Sequence, residues 1–269
     1  MMRRPHYLAL AGAAALSALL IWGLEYRPRD VVRAAEARRG LSLAPASAQS
    51  LIRAALPELD ARTEAEIHGL SRMLDAATAD ARRVELLKDL SGAWYRAGRP
   101  AIAGHYAERV AEVAPSDTAW GLAGTTYSLC LRADSLADKQ RDFCRERAVL
   151  AYENAISLAP EEPSHKLNLA LHYADHPPAD NPMRGIRMLL DLNAADPDDV
   201  DVLIQLGRLA LQTGQDDRAV ERLMRAVELA PDNRAAQCLL NEAAAREGID
   251  QLAAASAARC RALSGPEPE

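Results

Sequence analysis

The chain has 269 residues, 49% of them hydrophobic but only 4% aromatic, so a sizeable core must be built from small and aliphatic side chains. The net charge of −6 is uneven: residues 1–40 hold seven Arg against Glu25, Asp30 and Glu36, which leaves −10 on the remaining 229 residues. An acidic body with no basic stripe argues against nucleic acid as a partner, and the scarcity of alternating β-branched runs argues against strands.

The first element in chain order is an uncharged stretch of 18 residues, 7–24, opening on Tyr7 and closing on Leu24. That length is near the lower limit for spanning a bilayer. Arg3 and Arg4 precede it, which places the N-terminus in the cytoplasm and the body on the far side. Trp22 and Tyr26 close the run with aromatics suited to the membrane interface. The expectation is an uncleaved transmembrane helix in contact with the lipid bilayer over 1–24. A cleaved signal peptide is the alternative, although the small residues Ala13 and Ala15 lie inside the apolar run rather than after it. Residues 25–46 read as a linker broken by Pro28 and Pro45. Two helical patterns, 47–56 and 62–79 with Pro57 between them, form an N-terminal cap over 47–83.

Prolines frame the rest of the chain. Pro197 and Pro231 are 34 residues apart, a period typical of a helix-turn-helix solenoid. Counted from Val200, Leu203, Leu206 and Gly207 take the fourth, seventh and eighth places, Gly214 the turn, and Ala219 and Ala226 the close-packing points of a second helix. Segment 84–117 repeats the frame with Leu87, Leu90, Trp94, Gly98 and Ala103. Segment 118–162 keeps Ala148, Tyr152 and Ala155, but has Gly124 at a usually large position and extra residues around "RADSLADKQRD". Segment 163–199 carries Leu169 and Ala170, with Gly185 where Ala is usual. Segment 234–263 keeps Leu240, Gly248, Ala253 and Cys260 without a closing Pro, and 264–269 reads as a disordered tail.

This pattern resembles the tetratricopeptide repeat (TPR) family, most fully over 200–233. The resemblance implies an all-α fold: a TPR-like right-handed α-solenoid of antiparallel helix pairs, each covering its neighbour's apolar face. With the N-terminal run, the chain resembles membrane-anchored bacterial TPR proteins. That implies a single-pass protein of the bacterial inner membrane with its C-terminal domain in the periplasm.

Few residues suggest chemistry. Cys130 and Cys144 are symmetric about the inserted loop, and Cys238 and Cys260 are nearly symmetric about the Gly248 turn. In an oxidising compartment these pairs could close as disulfides; the alternative is four small buried thiols. His172 and His176 are four apart near Asp175 and Asp180, but a zinc site needs another converging ligand, and a helix C-terminus suits His equally well. No nucleophile elbow, phosphate loop or dinucleotide fingerprint is present, so neither enzyme activity nor a cofactor is expected.

The TPR resemblance implies that the first helix of each unit lines a concave groove. By frame, the groove residues include Lys88, Tyr95, Arg96, Thr126, Asn168, Arg208 and Gln212. Asn168 could bond a peptide backbone, and Arg96 or Arg208 could meet a carboxylate. The family's carboxylate clamp needs Lys and Asn in successive units, which this chain lacks. The expectation is a non-catalytic scaffold for a protein or peptide partner. The alternative is an assembly factor resembling the anchored TPR subunits of cytochrome c maturation, which present apocytochrome peptides.

Overall fold

The computed structural model describes residues 47–133 and 136–264. The stretch 7–24, the linker and the tail lie outside the described residues. Among those described, every regular element is a helix, and none is long and apolar enough to cross a membrane.

Helices α1 (Ala48–Ala55) and α2 (Ala61–Ala76) are joined by a short 3₁₀ turn, Leu56–Glu58. Beyond them the described residues form five helix pairs. They are α3 (Asp80–Arg96) with α4 (Pro100–Val113), α5 (Asp117–Cys130) with α6 (Asp138–Leu158), α7 (Pro163–Asp175) with α8 (Arg184–Ala195), α9 (Val200–Gln212) with α10 (Asp216–Leu229), and α11 (Arg234–Glu247) with α12 (Asp250–Ala262). Each helix packs on its partner, and each pair on the next.

Local chemistry sets the boundaries. Asp60, Ser116, Asp199 and Asn233 each accept a backbone N–H of the helix they precede, which satisfies a donor that has no partner within that helix. Pro100 and Pro163 open α4 and α7, where a missing N–H costs nothing. The turn after α9 passes through Gly214 at φ 68°, a left-handed conformation that favours glycine.

Aliphatic side chains fill the seams. Leu86, Leu87, Leu90 and Trp94 of α3 are almost fully buried, and Ile67 and Leu74 of α2 join the same cluster. Leu223 of α10 is wholly buried among Ala210, Ala219, Leu240 and Ala243 of its own and neighbouring helices. Burial of such a leucine is worth about 2–3 kcal/mol.

Small residues set how closely the helices approach. A Cβ built on Gly207 would stand 2.6 Å from Leu223 Cγ, and one on Gly124 2.6 Å from the Tyr152 ring. At Gly185 the obstacle is main chain: such an atom would lie 2.5 Å from the Ala170 carbonyl oxygen and would also strike the Ala174 nitrogen. The backbones of α7 and α8 therefore touch, so the alanine usual at that place cannot be accommodated.

The middle of the array is joined by polar and covalent links. Glu108 on α4 is 2% exposed. It accepts hydrogen bonds from Tyr127 Oη on α5 at 2.7 Å and Arg147 Nε on α6 at 3.0 Å, with a second short bond from Arg147 Nη2. Burial and the neighbouring Glu108 carboxylate push the Tyr127 hydroxyl pKa well up, so it stays protonated as a donor. Disulfides join Cys130 to Cys144, Cα atoms 6.3 Å apart, and Cys238 to Cys260, Cα atoms 4.9 Å apart. The first ties the end of α5 to α6; the second ties α11 to α12.

Candidate functional site

The first helices of three successive pairs, α5, α7 and α9, border a cavity of about 600 Å³. Thr125, Ser128, Leu129 and Arg132 come from the last turns of α5 and the residues after it, Asn168 to His176 from α7 and its C-cap, and Gln205 and Arg208 from α9. Tyr152 of α6 closes the floor. Within α7, and again within α9, the lining residues are three or four apart and so lie on one face of their own helix.

A chain of polar contacts runs along the floor. The Ser128 hydroxyl stands 3.3 Å from Tyr152 Oη and 3.0 Å from His172 Nδ1. His172 is 3% exposed, and its Nε2 is buried without a hydrogen-bond partner. Its pKa is lowered to about 4, mainly by burial and then by the neighbouring His176. The Arg145 backbone favours the charged ring without completing a hydrogen bond to Nε2. Burial also lowers the pKa of His176, whose ring centroid is 5.5 Å from that of His172; Arg145, Arg141 and Arg132 add to that lowering. From α9, Arg208 Nε donates to Gln205 Oε1 at 3.0 Å, and its Nη2 stands 3.4 Å from Asp175 Oδ1 on α7.

The residues expected to line a groove have different places. Asn168 and Arg208 share the cavity. Lys88 instead borders a smaller, more apolar hollow of about 380 Å³ with Val84, Val110 and the exposed Leu122. Tyr95 is about half exposed beside Arg96, which reaches back 2.9 Å to Glu66 on α2. Thr126 is buried, and its hydroxyl donates to the Leu122 carbonyl at 2.7 Å. Gln212 is exposed at the end of α9, two turns from Gln205, which lines the cavity. The repeat frame does not mark Arg132 or His172 as groove residues. Arg132 comes after the last turn of α5, where the frame gives no position, and the spacing of His172 suits a helix end equally well.

Among the described residues no group of His, Cys, Asp or Glu is placed to hold a metal ion. His172 and His176 border the cavity without a third converging ligand. His165 is engaged elsewhere, with Nε2 2.9 Å from Asp117 Oδ2; that contact is the main cause of the lowered Asp117 pKa.

Residues 184–243, from α8 into α11, match the tetratricopeptide repeat family. No curated protein matches the sequence. Among solved structures, BtubC from P. vanneervenii is 18% identical, with a TM-score of 0.51 over 78% of this chain and 95% of its own. The APC/C hetero-tetramer Cut9–Hcn1 contains a chain 15% identical, with a TM-score of 0.50 over 74% of this chain and 36% of that one. MamA from Desulfovibrio magneticus RS-1 is 17% identical over 69% of this chain and 97% of its own, with a TM-score of 0.45. The architecture is that of a TPR-type α-solenoid. Segment 184–243 carries the match to the tetratricopeptide repeat family, and the helix pairs before and after it continue the same plan.

Proposed function

We propose that the chain is a membrane-anchored scaffold without chemistry of its own, holding a protein or peptide partner in the concave groove of an exported domain. One observation carries this reading. The first helices of three successive pairs line one cavity, each offering it at least one polar side chain that is not buried: Thr125, Asn168, and Gln205 with Arg208. A peptide lying across them would meet Asn168, Gln205 and Arg208, which suit backbone amides and carboxylates.

The anchor rests on the uncharged stretch 7–24 with Arg3 and Arg4 before it. Two disulfides suit an oxidising compartment, which supports a periplasmic body. Protease protection in spheroplasts tests this orientation: cleavage of the body only after inner-membrane lysis would overturn it.

The groove is tested by capture from detergent extract with the full chain and with Arg208→Glu. Loss of one protein partner supports the scaffold, and an apocytochrome among the lost partners would favour the cytochrome c assembly role instead. A partner set indifferent to Arg208→Glu overturns both.

A further inference from the structure

We propose that the cavity between α5, α7 and α9 is a proton-linked site for a carboxylate of an acidic peptide, held by Arg132 and Arg208 and bordered by His172 and His176. This rests on the groove reading above and adds the chemistry of the occupant.

The charge of the cavity runs against that of the chain. Residues 41–269 carry −10, yet among the residues lining this cavity Asp175 is the single carboxylate, facing two Arg and two His. Arg132 is exposed and makes no ion pair with a described residue. Arg208 spends one donor on Gln205 and reaches Asp175 only at 3.4 Å, so part of its guanidinium fork is open to a second carboxylate. Low-dielectric walls lined by one sign of charge focus the field on a ligand of the opposite sign.

The histidine pair gives the site its proton linkage, and His172 is its buried member. Its ring borders the cavity, and Nε2 has no partner although the residue is almost wholly buried. The groups facing the two histidines are mostly cationic: Arg132 after α5, Arg141 and Arg145 from α6, and Arg208 from α9. Asp175 on α7 opposes them, while Asp142 is already paired with Arg145 at 3.1 Å. Both rings are therefore held neutral near pH 7, with His172 at about 4 and His176 shifted the same way. A carboxylate entering the cavity supplies negative charge there and raises both pKa values. Binding then takes up protons, and affinity increases as pH falls.

The test is fluorescence anisotropy with the full-length chain in detergent. The probes are a labelled Glu-Ala-Glu-Ala-Glu peptide with a free C-terminus, its amidated form, and amidated Gln-Ala-Gln-Ala-Gln. At pH 6 an acidic peptide should bind at least roughly tenfold tighter than the neutral one, and Arg132→Gln should weaken it about tenfold, as loss of one charge-assisted contact implies. Its affinity should fall about threefold or more between pH 6 and pH 8, with a shallower dependence in His176→Asn. If amidation abolishes binding, the carboxylate is the chain terminus; if it does not, side-chain carboxylates suffice, and either result supports the site. Equal binding of acidic and neutral peptides, indifference to Arg132→Gln, or no binding at pH 6 would overturn it. A neutral peptide that binds equally well and is lost in Arg208→Glu would sink the anion site while leaving the groove reading intact.

Discussion

Between α4 and α7 the helices are joined by the Glu108–Tyr127–Arg147 cluster, the Ser128–His172 contact and the Cys130–Cys144 disulfide, whereas from α9 to α11 Leu206, Leu223, Leu240 and small residues form the seam. The family match, 184–243, covers much of the second region and stops short of the first. A repeat pattern describes apolar and small positions, so it finds units whose neighbours are held by generic burial. Where neighbours are held by particular polar pairs, the same helix pairs form but the pattern fades. The cavity spans the border between the two regions, with α5 and α7 on one side and α9 on the other.

The contrast can be broken at several strengths. Glu108→Ala should cost the most, about 3–5 kcal/mol, because it leaves the half-buried Arg147 charge and the Tyr127 hydroxyl unpaired; denaturant unfolding measures it. Gly185→Ala should cost about 3 kcal/mol because its methyl meets main chain, while Gly207→Ala should cost about 1 kcal/mol because the Leu223 side chain can turn away. Reduction of either disulfide should remove about 3 kcal/mol, slightly more for the 22-residue separation of Cys238–Cys260 than for the 14 of Cys130–Cys144; thermal melts with and without reductant compare them.

Acid should act on the polar region. His172 titrates near 4 when folded and near its ordinary 6.5 when unfolded, so the unfolded chain binds the extra proton between those values. Stability should therefore fall as pH drops from about 6.5 to about 4, by up to about 3 kcal/mol, and His172→Gln should flatten that slope in urea titrations. The smallest effect is expected at Asp198, whose pair with Arg225 is exposed on both sides: Asp198→Asn should leave the urea unfolding midpoint unchanged.

Parts of the middle region were within reach of the sequence. Ala101, Gly104, Glu108 and Ala111 fall at helical spacing on one buried face of α4, so an acid among small residues signals a buried partner. No spacing rule says that the partner would be Arg147, 39 residues further on and a helix pair away. Gly124 and Gly185 depart from the repeat frame for different reasons, the first to admit the Tyr152 ring and the second to admit backbone.

The sequence by itself determined the helix pairs, because capping residues, turn glycines and the spacing of apolar side chains act within one or two turns of chain. It also placed Asn168 and Arg208 on first helices, since position along a repeat is a local property. Only the tertiary structure decided that these two share a cavity with Arg132 and the His172 ring, whose Nε2 has no partner, while Arg96 is drawn to Glu66 and Thr126 turns inward. Which side chains meet across a groove depends on how closely successive backbones approach, and that distance is set by contacts between residues far apart in the chain.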